Sequence, residues 1–359
     1  MTRWSWKIGE FFGIGVYVHA TFLLLIAWLA FIHYRAGDSL AATVAGIIFV
    51  LSIFVCVVLH EYGHALTAKR YGIKTRDIIL LPIGGVARLE RIPEDPGQEL
   101  RVALAGPAVN VVIAAALYSW LLLTGTMVPA AELEMARGPF LQRLMLVNIF
   151  LVVFNLIPAF PMDGGRMLRA ILAMSLPYAK ATQIAASVGQ ALALVFGFLG
   201  LIGNPFLLFI ALFVWIGAAQ ESSLVQIKTA LGGIPLQQVM LTDFYRLHPT
   251  DPLSRAIDLT LAGSQKDFPV VEGESVVGVL TQADLMRALQ EHGGSSSVGS
   301  EMRRDFGLAH PAEMAEGVLI RLQTCDCRIL PVVRDDRLIG LVNLENVSEF
   351  LQIQSALRT

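Results

Sequence analysis

The sequence predicts an α-helical polytopic membrane domain of six transmembrane helices, followed by a smaller α/β domain at the carboxyl end. Charged residues make up 16% of the 359 residues and hydrophobic residues 55%, against averages for soluble proteins of about 25% and about 45–50%. Long stretches of the first 228 residues carry no charge, and the remainder contains an internal repeat. These observations exclude an ordinary soluble protein.

Five stretches contain no Asp, Glu, Lys or Arg: residues 11–34, 39–60, 102–131, 144–162 and 181–220. A helix needs about 20 apolar residues to cross the roughly 30 Å hydrocarbon core, so each stretch is long enough. The fifth is about twice that length and is interrupted by Gly203-Asn204-Pro205, a turn signal that predicts two spans. The first stretch lacks the cleavage site of a signal peptide and is interpreted as a retained helix, which gives six spans.

Basic residues beside the spans predict the orientation of the chain. Seven Lys or Arg residues lie between the second and third spans, whereas the loop before the fourth span, residues 127–139, carries only Arg137. Arg3 and Lys7 precede the first span. A cytoplasmic amino terminus places the strongly basic loop on the cytoplasmic side and the loop of residues 127–139 on the opposite side. Six spans then return the carboxyl terminus to the cytoplasm. We therefore expect an inner-membrane or plasma-membrane protein with a cytoplasmic carboxyl-terminal domain.

The carboxyl-terminal domain contains a repeat at an offset of 62 residues. The matching positions are Met240 with Met302, His248-Pro249 with His310-Pro311, 269–271 with 331–333, and Gly278 with Gly340. Each copy predicts two strands between helices, at 268–271 and 276–280 and at 329–333 and 338–342. The repeat resembles a pair of CBS modules, placed at residues 235–294 and 298–356 after a membrane domain of residues 1–228. The resemblance implies a pair that often dimerises and often holds an adenine nucleotide.

The turn from strand to helix is the candidate nucleotide site of this pair. The resemblance implies a Thr and, three residues later, an Asp that contact ribose and phosphate. Copy one has Thr281 and Asp284, but copy two has Asn343 and Asn346. We therefore expect at most one intact half-site. The alternative is that Asp284 only caps the helix that begins there.

A chemical motif, H-E-Y-G-H at residues 60–64, ends the second span. In a helix, residues i and i+4 lie on one face, so His60 and His64 can share a zinc ion. Glu61 is then placed to take a proton from water that the zinc activates. The alternative is that these polar residues mark the membrane interface beside Lys69. An interface, however, requires no particular spacing.

A catalytic zinc usually has three protein ligands, so a third must come from another helix. The fourth span leads into residues 155–165, where Pro158 and Pro161 end the regular helix and Asp163 follows on the predicted cytoplasmic side. Asp163 is therefore the predicted third ligand. The alternative is that Asp163 is a cap or turn residue before the next helix.

The H-E-x-x-H motif in one span, with an Asn…Pro…Asp-Gly stretch in a later one, resembles the site-2 protease family of intramembrane zinc peptidases. The resemblance covers roughly residues 8–220. It implies one zinc ion on His60, His64 and Asp163, with Glu61 as general base and Asn155 polarising the scissile carbonyl. The implied function is hydrolysis of peptide bonds within or near transmembrane segments of single-span proteins such as anti-sigma or pro-sigma factors.

Two further segments fit this resemblance, and each has an alternative. Residues 82–86, with Gly84 and Gly85, resemble a re-entrant segment whose strand edge pairs with an unwound substrate; a plain turn is equally open. Asn110 is a candidate for binding substrate or orienting a ligand, and equally for a hydrogen bond between helices. We interpret His19 as a locally satisfied polar residue rather than a fourth ligand.

Two other functions remain open from the sequence. A CBS-regulated transporter would need ionisable residues on several spans, and a non-proteolytic scaffold would only bind membrane clients. The expected partners are a membrane-protein substrate, membrane lipid and a second copy through the CBS modules. With 27 basic and 29 acidic residues, the net charge is −2, so no global field attracts nucleic acid.

Overall fold

The computed structural model describes residues 4–37, 39–82, 84–90, 93, 95–129, 138–324 and 328–357. Three basic residues used above to predict orientation, Arg3, Arg91 and Arg137, lie outside these ranges. The chain forms two compact units, residues 1–223 and residues 224–359.

A four-stranded sheet lies at the amino end of the first unit. Its strands are β1 (Ser5–Phe11), β2 (Ile14–His19), β3 (Thr75–Leu81) and β4 (Gly84–Leu89), in the order β1-β2-β3-β4. Strands β2 and β3 are parallel, and the other pairs are antiparallel. The β1–β2 turn uses Phe12 and Gly13, both at positive φ. The prediction that helix occupies the charge-free stretch from residue 11 is therefore wrong over its first nine residues, because Phe11 and β2 pair in the sheet and residues 12–13 form the turn between β1 and β2.

Seven helices lie among the described residues up to 231, two of them between β2 and β3. They are α1 (Ala20–Arg35), α2 (Leu40–Arg70), α3 (Pro96–Thr124), α4 (Phe140–Asn155), α5 (Asp163–Ala173), α6 (Tyr178–Ile202) and α7 (Phe206–Leu231). Four of them, α2, α3, α6 and α7, are long and apolar enough to cross a membrane. Helices α1 and α4 have 16 residues each, a length of about 24 Å. The first unit is thus a helical domain with four candidate spans.

Small residues bring α2 and α3 close together beside the sheet. A Cβ at Gly63 would lie 2.6 Å from the carbonyl oxygen of Ala105, so only glycine allows this approach. On the other side of α2, Tyr62 and Ala65 pack against buried Ile14 and Ile78 of the sheet. Helix α2 is therefore fixed between the sheet and α3 at the level of residues 60–65.

The second unit contains the two repeat copies, each with one antiparallel hairpin. Copy one has a 3-10 turn (Leu236–Gln238), α8 (Leu253–Ala262), β5 (Phe268–Glu272), β6 (Ser275–Leu280) and α9 (Gln282–His292). Copy two has α10 (Val298–Glu301), α11 (Ala315–Thr324), β7 (Ile329–Arg334), β8 (Arg337–Asn343) and α12 (Leu344–Leu357). The four predicted strands are confirmed to within one residue at each end.

The two hydrophobic cores of this unit do not follow the boundaries of the copies. Leu236 and Val239, which begin copy one, pack into the core of copy two. Val298 and Met302, which begin copy two, pack into the core of copy one. Each copy therefore completes its core with the leading segment of the other. The domain boundaries at 235–294 and 298–356 stay a prediction.

The exchanged segments contact a glycine in the second strand of each copy, Gly278 in β6 and Gly340 in β8. Both positions are therefore sensitive to substitution. A Cβ at Gly340 would lie 2.7 Å from Sδ of Met240 and 3.0 Å from the carbonyl oxygen of Leu241. We expect Gly340→Ala to lower the free energy of unfolding of this unit by about 1–3 kcal/mol, through overpacking. Calorimetry of the detergent-solubilised protein measures it. The control is Gly317→Ala in α11, where a Cβ meets open space, and an equal loss in that variant would contradict the packing explanation.

Candidate metal centre

The structure brings His60, His64 and Asp163 together at one buried point. Oδ2 of Asp163 lies 3.1 Å from Nε2 of His60 and 3.1 Å from Nε2 of His64. The two imidazole nitrogens are 3.1 Å apart. The three residues are between 5% and 7% exposed. The i,i+4 spacing on α2 produces the imidazole pair, and α5 supplies the carboxylate as its first residue.

This donor set fits a tetrahedral zinc ion. Zinc takes imidazole nitrogen and carboxylate oxygen at about 2.0–2.2 Å, which places neighbouring ligand atoms roughly 3.3 Å apart. The observed separations of 3.1 Å are close to that value. A Cβ at Gly106 would lie 2.2 Å from Nε2 of His64 and 2.6 Å from Nε2 of His60, so this glycine on α3 keeps the space beside both nitrogens open.

Each imidazole is oriented by an acceptor on its other nitrogen. Nδ1 of His64 lies 2.7 Å from the backbone carbonyl of Val102. Because that carbonyl can only accept, the neutral ring carries its proton on Nδ1 and presents a lone pair on Nε2. Nδ1 of His60 lies 2.5 Å from Oδ1 of Asn110, which is itself fully buried. Asn110 therefore bonds His60, a predicted metal ligand. Its Nδ2 also donates to Asn148 on α4, which is the hydrogen bond between helices that the alternative interpretation expects.

Glu61 points from α2 toward the sheet. Its Oε2 accepts a hydrogen bond of 3.1 Å from the backbone N–H of Ala87 in β4. A Cβ at Gly85 would lie 2.9 Å from Cγ of Glu61, so this strand approaches the carboxylate closely because position 85 is glycine. Gly84, at the start of β4, has a φ of 142°. The segment with Gly84 and Gly85 is thus the edge strand beside Glu61 rather than a plain turn.

The approach of Asp163 to the imidazoles depends on the chain before it. Helix α4 ends at Asn155, as Pro158 and Pro161 predict, because neither proline can continue the helix. A Cβ at Gly164 would lie 2.2 Å from the carbonyl oxygen of Ile157, and one at Gly165 would lie 2.6 Å from the backbone of Ala159. The two glycines therefore let α5 begin directly against the loop.

Asn155 and His19 are satisfied by their own segments. Nδ2 of Asn155 donates 3.0 Å to the carbonyl of Leu151, one turn earlier in α4. His19 is the N-cap of α1, where its Nδ1 accepts from the N–H of Thr21 at 3.3 Å. The local interpretation of His19 agrees with this geometry.

A second buried charged group was not predicted from the sequence. Arg169 on α5 is fully buried and donates to Glu99 on α3 at 2.8 Å and to Glu221 on α7 at 2.5 Å. Its guanidinium also lies 5.0 Å from the ring centre of Phe160, in the loop that leads to Asp163. Arg169 therefore ties α5 and its loop to two other helices. Residues so far apart in sequence form no motif, which is why spacing arguments missed them.

In the second unit, Thr281 and Asp284 lie at the start of α9. Thr281 is the N-cap: its Oγ1 accepts from the N–H of Asp284 at 3.2 Å and donates to Oδ2 of Asp284 at 2.5 Å. Asp284 also pairs with Arg303 at 2.6 Å and Arg287 at 2.7 Å. Asp284 is thus not the cap itself. Burial raises the pKa of its carboxyl, but the bonds from Arg303 and Thr281 outweigh that effect and hold the pKa below its usual range.

Comparison with known proteins identifies the families that the chain resembles. Residues 48–196 match the model of peptidase family M50, and residues 236–291 match that of the CBS domain. Zinc metalloprotease MJ0392 of Methanocaldococcus jannaschii is 33% identical over 352 residues, 98% of this chain and 97% of that protein. Stage IV sporulation protein FB of Bacillus subtilis is 27% identical over 41% of this chain and 48% of that protein. The solved site-2 protease of M. jannaschii is 40% identical, covering 61% of this chain and 95% of that chain, with a TM-score of 0.46.

The space that Gly106 leaves open predicts a loss of metal on substitution. We expect Gly106→Ala to reduce the zinc content of the purified protein at least about tenfold, because the methyl group occupies the space beside both Nε2 atoms. Elemental analysis of detergent-purified protein measures the change. Leu104→Ala, at a half-exposed position of the same helix, is the control. Full zinc occupancy in Gly106→Ala would show that the metal does not lie between these nitrogens.

Proposed function

The chain belongs to peptidase family M50 and is a zinc metalloprotease, and from that premise we propose that it hydrolyses peptide bonds within or near transmembrane segments. The observation that carries the proposal is the meeting of His60, His64 and Asp163 within 3.1 Å of one another, with Glu61 on the same helix. Such a site inside an apolar helical domain selects substrates that are themselves in the membrane.

In this proposal His60, His64 and Asp163 hold one zinc ion, which supplies a Lewis acid and allows water to act as a nucleophile near neutral pH. Glu61 is the general base: its carboxylate, held by the N–H of Ala87, takes the proton from the attacking water and returns it to the leaving amine. Asn155 polarises the scissile carbonyl after its amide turns away from Leu151.

We propose that the substrate pairs with the free edge of β4. Among the described residues, β4 pairs with only one strand, β3, so its other edge is free of strand pairing. Gly85 of β4 packs on the side chain of Glu61. A peptide added to this edge through Gly84 and Gly85 would lie beside the general base. Because a helix hides its own backbone, the substrate must unwind first, which favours segments containing Gly, Pro, Ser or Asn.

We propose six spans, with α1 and α4 as the two shorter ones, and a membrane domain of residues 1–228. Both termini are cytoplasmic in this proposal, in the inner or plasma membrane, as the loop charges predict. The substrate is proposed to be a single-span regulatory protein, such as an anti-sigma or pro-sigma factor, presented in the lipid.

We also propose that the CBS pair regulates the peptidase by binding an adenine nucleotide at the half-site of Thr281 and Asp284, and that it dimerises two copies of the chain. Arg287 and Arg303 beside Asp284 add positive charge suited to phosphate. In copy two, Asn343 instead accepts from the N–H of Asn346 at 2.8 Å, without a carboxylate.

The peptidase proposal predicts that Glu61→Gln keeps zinc but loses about 10²–10⁴-fold in cleavage rate, since the general base is removed. Cleavage of a single-span substrate in proteoliposomes, with zinc measured on the same samples, tests this. Glu90→Gln, at an exposed carboxylate, is the matched control. Unchanged cleavage in Glu61→Gln would favour a scaffold, and ion flux without cleavage by the wild type would favour a transporter.

The nucleotide proposal predicts a heat signal when ATP, ADP or AMP is titrated into the full-length protein. Asp284→Asn is expected to weaken binding by about tenfold or more, because hydrogen bonds to a charged group are lost. Asn346→Ala, at the equivalent position of copy two, should leave the affinity unchanged. No heat with any of the three nucleotides, or equal cleavage rates with and without them, would contradict the proposal.

A further inference from the structure

A chain of buried amides leads from His60 into α4. Asn110 and Asn148 are both fully buried. Oδ1 of Asn110 lies 2.5 Å from Nδ1 of His60, and Nδ2 of Asn110 donates 2.7 Å to Oδ1 of Asn148. Nδ2 of Asn148 in turn donates 2.9 Å to the carbonyl of Leu144. The chain therefore connects an imidazole of the metal centre to a backbone carbonyl on another helix.

The backbone carbonyl gives this chain a direction. Leu144 O can only accept, so the amide nitrogen of Asn148 must face it and Oδ1 of Asn148 must face Asn110. That oxygen requires a donor, so Asn110 presents Nδ2 to it and Oδ1 to His60. In the neutral ring of His60, Nδ1 must then carry the proton, which leaves the lone pair on Nε2, the atom that faces Asp163.

We propose that Asn148 is a positioning residue that selects the metal-binding tautomer of His60 through Asn110. The inference rests on the proposed function only in taking zinc as the metal. His64 needs no such residue, because its Nδ1 is bonded directly to the carbonyl of Val102, which cannot reverse. The side-chain amide of Asn110 can rotate and exchange its oxygen with its nitrogen. Its orientation must therefore be fixed by its second partner, Asn148.

Loss of Asn148 has a defined consequence. Without the acceptor at Oδ1 of Asn148, nothing fixes the orientation of the Asn110 amide, and in the reversed orientation the amide presents Nδ2 to His60. Nδ1 of His60 then accepts, the ring proton moves to Nε2, and the ligand atom is blocked. Zinc can then bind only after the proton leaves Nε2 of His60, so the affinity of the protein for zinc falls.

The first test is Asn148→Leu in the full-length protein in detergent. We expect zinc affinity, measured by competition with a chelator, to fall about 10–100-fold, as is typical when a residue that orients a ligand is lost. The ¹⁵N chemical shifts of the metal-free protein should move the proton of His60 from Nδ1 to Nε2 while leaving His64 unchanged. Gln142→Leu is the control. It removes another buried amide from α4, but this amide bonds Val128 and is not part of the chain of amides that leads to His60.

The second test is rescue by Asn110→Asp in the Asn148→Leu background. A carboxylate presents an oxygen to His60 in either orientation, so it needs no second partner at position 148 to orient it. We expect the double variant to recover at least about tenfold of the lost zinc affinity. A purely structural role of Asn148 would not be rescued by a change at Asn110.

Two results would overturn the inference: wild-type zinc affinity and tautomer in Asn148→Leu, or a loss that Asn110→Asp does not restore. Failure of the proposed function is distinguishable, because it would appear as absent cleavage in the wild type while zinc binding still responds to residue 148.

Discussion

The first unit depends on bringing two imidazoles and one carboxylate to within 3.1 Å of one another inside an apolar domain. Such a cluster of lone pairs is unfavourable without a cation, so the surrounding chain must enforce it. Three close backbone approaches do so, each at a glycine: Gly63 between α2 and α3, Gly106 beside the imidazoles, and Gly164 at the start of α5. The helices converge here because no Cβ separates them.

The buried polar side chains of Arg169, Asn110 and Asn148 also have partners inside the helical domain. Where hydrocarbon replaces water, an unpaired donor or acceptor is costly, and a buried charge more so. Arg169 is accordingly surrounded by two carboxylates and two aromatic rings. The amides of Asn110 and Asn148 bond each other across two helices. These groups hold α3, α4, α5 and α7 in the arrangement that the metal centre requires.

The second unit combines a symmetric backbone with asymmetric chemistry. The two copies exchange their leading segments in the same way, so that Met302 meets Gly278 and Met240 meets Gly340. The strand-to-helix turns nevertheless differ: copy one places a buried carboxylate between two arginines, whereas copy two places Asn346 after an asparagine cap. The two copies therefore share these packing positions and differ in the residues of the strand-to-helix turn.

The sequence by itself determined the apolar helical domain, the α/β repeat and the pairing of His60 with His64, because hydropathy, periodicity and i,i+4 spacing are local properties. It also indicated Asp163, since two prolines end a span just before it. Only the tertiary structure decided that residues 14–19 form a strand, that Asn110 orients His60, and that Arg169 meets Glu99. The last two contacts join residues 50 or more positions apart, and only helix packing brings such residues together.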